Sequence, residues 1–249
     1  MENIALVGLS RQVALRRELD VIANNMANLN TTGFKADDVV FQEYLMPGAR
    51  DETFPRGSDR NLSFVWDRAT TTNMSQGSVE QTGNTLDTAI GGRGFFVVQT
   101  PEGERYTRNG SFEINAQGQM VTKQGHPVLS ESGVINFEPT DTPPVIARDG
   151  QISVAAGQRG KLRIVDNPAN RAFEKVGDNL YRLTEGNQAT PVPITDVRQG
   201  YIEKSNVSPV NTLSRMIEVT RAYAELASSL DRHDQMRREA IRSLGNPAT

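Results

Sequence analysis

The chain has 249 residues, a formal net charge of −3 and no cysteine. That length is sufficient for one or two domains, and the interspersed charges indicate neither nucleic acid nor an anionic membrane as a partner. The lack of cysteine excludes disulfides, thiolate zinc sites and a cysteine nucleophile.

The start of the chain has no basic segment followed by a long apolar run, and no later window approaches about 18 consecutive apolar residues. The sequence therefore predicts neither a cleavable secretory signal nor a transmembrane helix. We expect a protein that is cytoplasmic, or one that is exported by a route requiring no classical signal peptide.

A long amphipathic helix is predicted from about Asn3 to Thr32, within an N-terminal segment spanning residues 1–36. Its apolar residues recur at alternating steps of four and three, which is typical of a helix seam that packs against a partner helix. This first seam consists of Leu15, Leu19, Ile22, Met26 and Leu29.

The end of this helix is also predicted from the sequence. Gly33 suits the left-handed position that follows a helix, and Phe34 is then placed to pack back on Leu29. We therefore predict a Schellman cap at the end of the first seam.

Three asparagines lie beside the first seam: Asn24, Asn25 and Asn28. One interpretation is that they belong to a solvated face. The other is that their amides form hydrogen bonds across subunit interfaces, where a polar residue near a seam sets the register.

Residues 37–77 show neither the helical nor the strand period over any distance, and they contain several prolines and glycines. We predict an irregular extension or linker, because a long structureless stretch is uncommon inside a compact domain. Trp66 lies in a short apolar run of this segment and is interpreted as a packing anchor.

A central β domain is predicted over residues 78–199. Short apolar runs alternate there with turn signals such as Asn109-Gly110 and Asp149-Gly150, which favour tight hairpins. Such spacing predicts an antiparallel sandwich or barrel. The main predicted strands are residues 94–100, 161–166, 179–183 and 197–205.

Residues 200–249 are predicted to lead from a strand into a second long helix, with Ser208 as its N-cap and Pro209 in its first turn. The second seam consists of Met216, Val219, Tyr223, Leu226 and Leu230. The fold class is therefore predicted as α+β, with terminal helices pairing as a coiled-coil-like unit around an inserted all-β domain.

Three stretches resemble flagellar basal-body rod, hook and hook-associated axial proteins. Residues 22–35 match the form I-A-N-N-x-A-N-x-x-T-x-G-F/Y-K, and residues 205–223 match S-N-V-x-x-V-x-x-M-x-x-M-I-x-x-x-R-A-Y, with Leu213 where methionine is usual. Residues 76–100 and 105–129 resemble the larger rod subunits. Within them, the T-G-N-x-L-D form at 82–87 is more similar to the proximal than to the distal rod subunit, which stays the alternative.

The resemblance implies a structural subunit that stacks helically into a hollow, torque-transmitting shaft across the periplasm. It implies further copies of this chain, neighbouring rod subunits and the flagellar type III export apparatus as partners, and no cofactor. The expected assembly interface comprises both seams together with Asn24, Asn25, Asn28, Gly33 and Phe34.

No arrangement typical of catalysis or metal binding is found in the sequence. His126 and His233 are the only histidines and lie in different segments, and residues 91–94 precede a strand where a phosphate loop needs a helix. A periplasmic β-domain protein that binds or hydrolyses glycan is the alternative from another class. Measurable binding or cleavage of peptidoglycan would support that alternative.

Overall fold

The computed structural model describes residues 2–50, 61–167, 173–184, 186–192 and 196–245. The architecture is α+β, with one helix near each end of the chain and a β-rich middle. The chain forms two compact units. Unit 1 comprises Met1–Ala27, Asp37–Thr72 and Ser208–Thr249, and unit 2 comprises Asn28–Ala36 and Asn73–Val207.

Unit 1 contains both helices and one pair of strands. Its elements are α1 (Glu2–Ala27), β1 (Asp37–Arg50), β2 (Asn61–Thr72) and α2 (Pro209–Gly245). Neither helix combines, over the part that the structure describes, the length and the apolarity needed to cross a membrane.

Unit 2 is built from short strands. In chain order they are β3 (Val79–Gln81), β4 (Thr88–Gly91), β5 (Phe95–Thr100), β6 (Gly103–Thr107), β7 (Phe112–Ile114), β8 (Met120–Thr122), β9 (Leu129–Ser130), β10 (Gly133–Val134), β11 (Val145–Ile146), β12 (Gln151–Val154), β13 (Gly157–Lys161), β14 (Ile164–Asp166), β15 (Phe173–Gly177), β16 (Leu180–Leu183), β17 (Thr190–Pro191), β18 (Asp196–Gln199) and β19 (Tyr201–Glu203).

The first helix ends at Ala27, earlier than the predicted end at Thr32. A turn follows, in which the amide of Thr31 donates to the carbonyl oxygen of Asn28 at 3.2 Å. The hydroxyl of Thr31 also donates to the side-chain oxygen of Asn28, at 3.0 Å. Asparagine and threonine side chains can bind nearby polar groups in this way, and these hydrogen bonds compete with those of the helix. The apolar spacing of the sequence does not reveal this competition. It therefore continues beyond the last residue of the helix.

The predicted Schellman cap is wrong. Gly33 does have a positive φ of 69°. Its amide, however, donates to the carbonyl oxygen of Glu203 at 2.7 Å, whereas the cap requires a carbonyl of the helix. Because the helix has already ended at Ala27, Gly33 serves a turn that meets a distant segment of the chain.

The segment predicted as irregular contains regular structure. Strands β1 and β2 pair antiparallel, from Asp37 opposite Thr72 to Arg50 opposite Asn61. The register shifts between Val40 and Phe41, and an extra residue at such a point breaks the alternation by which strands are predicted. Part of the predicted extension, 51–60, and the packing role of Trp66 lie outside what the structure describes.

The largest sheet of unit 2 has six antiparallel strands in the order β15-β16-β6-β5-β14-β17. The order ends at β15 and β17, so these described strands do not close into a barrel. Four strand pairs and one three-stranded sheet accompany it: β3 with β19, β4 with β18, β7 with β8, β9 with β10, and β11-β12-β13.

The predicted strands are largely confirmed. The prediction over 94–100 corresponds to β5, and 179–183 corresponds to β16. The prediction over 161–166 contains the end of β13 and β14, and 197–205 contains β18 and β19. The last two strands are separated by Gly200, whose positive φ of 77° interrupts the extended backbone.

The central strand β5 is buried on both faces. Phe96 and Val98 belong to one apolar cluster, and Phe95 and Val97 belong to another. Successive side chains of a strand point to opposite faces, so a strand covered on both sides appears in the sequence as an uninterrupted apolar run. This explains why β5 gave the strongest strand signal.

Candidate assembly surface

Both predicted seams lie on the less exposed faces of their helices. Ile22 in α1 is 6% exposed and Val219 in α2 is 2% exposed. The other seam residues within the helices are half-buried: Leu15, Leu19, Met26, Met216, Tyr223, Leu226 and Leu230. Leu29 is also half-buried but lies beyond the end of α1.

The two helices contact each other in an antiparallel arrangement. In the second half of α1, Glu18 accepts a hydrogen bond from Arg215 at 2.7 Å. Gln12, which precedes Glu18 on the same helix, donates to the hydroxyl of Tyr223 at 3.1 Å. The hydrogen bond to Glu18 raises the pKa of Arg215 and so favours its charged form.

Gly8 marks a close approach of the two helices. A Cβ atom built at this position would lie 2.6 Å from a methyl carbon of Leu230, so a larger side chain here would displace that leucine. Since Gly8, Gln12 and Glu18 meet Leu230, Tyr223 and Arg215 respectively, residue numbers rise along one helix as they fall along the other.

A second apolar stripe on each helix remains exposed. On both helices its members recur at steps of three or four residues, so they share one face. Their exposed fractions lie between 46% and 74%. We call these residues the outer stripes: Leu6, Leu9 and Val13 on α1, and Val210, Leu213 and Ile217 on α2.

Asn25 pairs with the backbone of its own chain. Its amide nitrogen donates to the carbonyl oxygen of Asp37 at 2.8 Å, and its amide oxygen accepts from the backbone nitrogen of Asp37 at 2.9 Å. The side chain is buried, so the solvated-face interpretation is wrong for this residue. Asn24 is exposed, and Asn28 is half-buried and bonded to Thr31.

Replacing Asn25 with aspartate is expected to lower the free energy of unfolding of unit 1 by about 1–3 kcal/mol. The change would replace the donor that faces the Asp37 carbonyl by a second acceptor. Urea unfolding followed by helical circular dichroism measures the effect, and the exposed Asn30→Asp is the matched control. Equal midpoints for the two variants would contradict the assigned pairing.

Unit 2 contains a buried ionic cluster that consists of Lys35, Arg108 and Glu203. Their side chains are 0%, 4% and 1% exposed. The ammonium of Lys35 lies 2.5 Å from one carboxylate oxygen of Glu203, and Nη1 of Arg108 lies 3.2 Å from the other. Burial lowers the pKa of Lys35 and of Arg108, and the carboxylate of Glu203 acts in the opposite direction.

Backbone groups satisfy much of the remaining polar capacity of the ionic cluster. Lys35 donates to the carbonyl oxygen of Ser75 at 2.7 Å, and Arg108 donates to that of Gly92 at 2.6 Å. The carboxylate of Glu203 accepts a further bond from the amide of Gly77 at 3.0 Å. The three charges therefore connect chain segments that are far apart in the sequence.

The segments on either side of the ionic cluster are also paired through their backbones. Besides the bond from Gly33 to Glu203, the amide of Asn206 donates to the carbonyl oxygen of Phe34 at 3.3 Å. The side-chain oxygen of Asn206 accepts from the amide of Ala36 at 2.7 Å. Residues 33–36 and 203–206 consequently lie side by side.

Phe34 is buried, with 6% of its surface exposed. The ammonium of Lys175 lies 4.1 Å from its ring centroid, within the range of a cation–π interaction. Phe34 was predicted to pack on the helix end, and its contacts instead hold the residues after α1 within the β-rich unit. Gly33 likewise meets Arg108 and Asn109.

Sequence reasoning did not identify the ionic cluster. Lys35 was noted only as the last residue of the N-terminal motif, and Arg108 and Glu203 were not singled out. The available signal was that opposite charges adjoin the two terminal motifs, at Lys35 and at Glu203. That signal is weak, because exposed charges are common and periodicity does not reveal a partner 168 residues away.

Among the described residues there is no group of three or more histidine, aspartate or glutamate side chains placed to hold a metal ion. His126 is half-buried after β8, and His233 lies half-buried on α2. The described features are contacts between helices and between chain segments.

Three family models match the sequence. Residues 6–35 match "Flagella basal body rod protein", residues 89–154 match "Flagellar hook protein FlgE/F/G D1 domain", and residues 198–243 match "Flagellar basal body rod FlgEFG protein C-terminal". The first and third matches cover most of α1 and α2, and the second lies within unit 2.

Relatives are similar over nearly their full length. The flagellar basal-body rod protein FlgF of Caulobacter vibrioides is 41% identical over 98% of this chain and 99% of its own length. FlgF of Mesorhizobium japonicum is 33% identical over 99% of each. The rod protein FlgG of Buchnera aphidicola subsp. Schizaphis graminum is 35% identical over 94% of this chain and 95% of its own.

Proposed function

Because this chain belongs to the flagellar basal-body rod protein family, we propose that it assembles with other rod subunits through its two terminal helices. It is a structural subunit of the basal-body rod and not an enzyme. The proposal concerns which surfaces of this subunit make the contacts.

The proposal rests on the exposure of the outer stripes. Leu6, Leu9 and Val13 on α1 lie largely in solvent, as do the three corresponding residues on α2. An apolar stripe at helical spacing stabilises an assembly only when another surface covers it and removes it from water. The first and second seams pair α1 with α2 as a coiled-coil-like unit, and the outer stripes meet neighbouring copies and other rod subunits.

The predicted interface residues act at two levels in this proposal. The two seams determine whether the helix pair forms, and assembly depends on that pair. Asn24 is exposed on α1, whereas Asn25, Asn28, Gly33 and Phe34 shape the chain that follows the helix. All of them affect assembly, but the outer stripes make the direct contacts.

The relatives also support a proposal about which rod subunit the chain is. The match to FlgF of Caulobacter vibrioides, at 41%, exceeds the match to FlgG of Buchnera, at 35%, which supports the proximal over the distal rod position. We propose helical stacking into a hollow, torque-transmitting shaft across the periplasm. We further propose that the flagellar type III apparatus exports the subunit.

The β-rich unit is proposed to be a sandwich-like body of packed layers. The two apolar clusters on opposite faces of β5 support a layered body, because a strand is buried on both faces only where other elements cover both sides of its sheet.

The test replaces all three α1 members of the outer stripe, Leu6, Leu9 and Val13, with serine in a strain that lacks the native gene. Rod assembly is expected to fail while the purified monomer keeps its thermal stability, because the replaced residues are exposed. The control variant carries Arg11→Ser and Arg16→Ser on exposed positions of the same helix. Normal rods with the triple variant would contradict the proposal.

A further inference from the structure

The ionic cluster has an unusual composition for a protein interior. Two cations, Lys35 and Arg108, share the single carboxylate of Glu203. Removing charges from water is costly, and well-packed apolar residues would stabilise the same volume at least as well. Such a cluster contributes specificity instead, because a shift of any participating segment would leave a buried charge without its counter-charge.

The ionic cluster lies where the chain leaves one terminal helix and approaches the other. Helix α1 ends at Ala27, shortly before Lys35, and α2 begins at Pro209, shortly after Glu203. Residues 33–36 and 203–206 are paired by backbone and asparagine hydrogen bonds at the same place. All of these residues belong to unit 2 and not to the helical unit.

We propose that Lys35, Arg108 and Glu203 are positioning residues for helix pairing: they hold the segment after α1 beside the segment before α2, whether or not the helices are paired. The inference rests on the proposed function of the helices in assembly. Most of the chain separates α1 from α2, so the two helices can meet readily only if the segments that lead into and out of unit 2 are held side by side.

Joining the two segments shortens the loop that the helices must close. Effective concentration falls approximately as the −3/2 power of the connecting length, so a junction close to both helices raises the rate at which they meet. The ionic cluster therefore acts on assembly through the helices and contacts no neighbouring subunit itself.

Disulfide trapping in the purified full-length monomer tests this. The chain has no cysteine, so Gly8→Cys with Leu230→Cys provides a single reactive pair where the two helices approach closely. The rate of intramolecular disulfide formation in dilute solution then reports how often α1 meets α2. Glu203→Gln is expected to slow this rate at least about tenfold, because it leaves two buried cations without a counter-charge.

The matched control is Glu80→Gln. Glu80 also forms an ion pair with a lysine, Lys204, but both side chains are about half exposed, so the trapping rate is expected to stay unchanged. Lys35→Met leaves the Arg108–Glu203 pair and is expected to slow trapping by less than Glu203→Gln. Circular dichroism of each variant establishes whether unit 2 remains folded.

An unchanged trapping rate in Glu203→Gln would overturn the inference, and so would an equal loss in Glu80→Gln. If Glu203→Gln does not fold, the rate of disulfide formation is compared between Lys35→Met and the unmodified ionic cluster. An unchanged rate in Lys35→Met then overturns the inference. Because trapping is measured in the monomer, its failure leaves the proposed function intact. Failure of the outer-stripe test would instead reject the proposed function whatever the trapping rate.

Discussion

Replacing Val219 with aspartate is expected to abolish rod assembly and motility while unit 2 remains folded. Val219 belongs to the second seam, on α2, and is 2% exposed. The variant loses the burial of an apolar side chain and places a charge where no cation is paired with it, which together cost at least about 3 kcal/mol. The helix pair can avoid this cost only by separating.

The measurement is swimming motility together with electron microscopy of isolated basal bodies. Ala224→Asp is the matched control, because Ala224 lies on the exposed side of the same helix. Ile22→Asp in α1 is expected to behave like Val219→Asp. Leu226→Asp is expected to have the same direction with a smaller effect, because Leu226 is only half-buried. Normal motility of the Val219 variant would contradict the proposal that rod assembly depends on helix pairing through the second seam.

Replacing Gly33 with alanine is expected to destabilise unit 2 by about 2–4 kcal/mol, from two causes. The backbone is left-handed, with φ at 69°, which side chains disfavour. In addition, a Cβ atom would lie 2.5 Å from the amide nitrogen of Asn109 and closer still to the carbonyl carbon of Arg108. Backbone atoms cannot move aside as the end of a flexible side chain can.

The matched control for this variant is Gly83→Ala. Gly83 has a similar φ of 76°, but its Cβ atom would meet nothing within 4 Å. This control therefore measures the cost of the backbone conformation alone, about 1 kcal/mol. Denaturant unfolding of both variants compares the two values. An equal loss at both positions would show that the close approach to Arg108 has no energetic consequence.

Local patterns predicted much of this protein because they depend on neighbours in sequence. The two seams lie on the less exposed faces of α1 and α2, because a helix repeats its faces every 3.6 residues whatever the partner. The apolar run of β5 was recognised for the same kind of reason. Gly33 was correctly assigned a positive φ, although its hydrogen-bond partner was not the predicted one.

Other features were not predictable from local patterns. The end of α1 at Ala27 depends on a side-chain competition between Asn28 and Thr31 that leaves the apolar period intact. The β1–β2 pair was missed because a register shift disturbs its alternation. The pairing of Asn25 with Asp37 was missed because neither residue type indicates a buried bond between side chain and backbone.

The sequence by itself determined the family, the α+β class, the two helices and the faces on which their seams lie. Only the tertiary structure decided which apolar stripe is buried within the chain and which remains exposed. It also decided that the residues after α1 belong to the β-rich unit, through Lys35, Arg108 and Glu203. The physical reason is that a charge is buried only with its partners, and those partners are distant in the sequence.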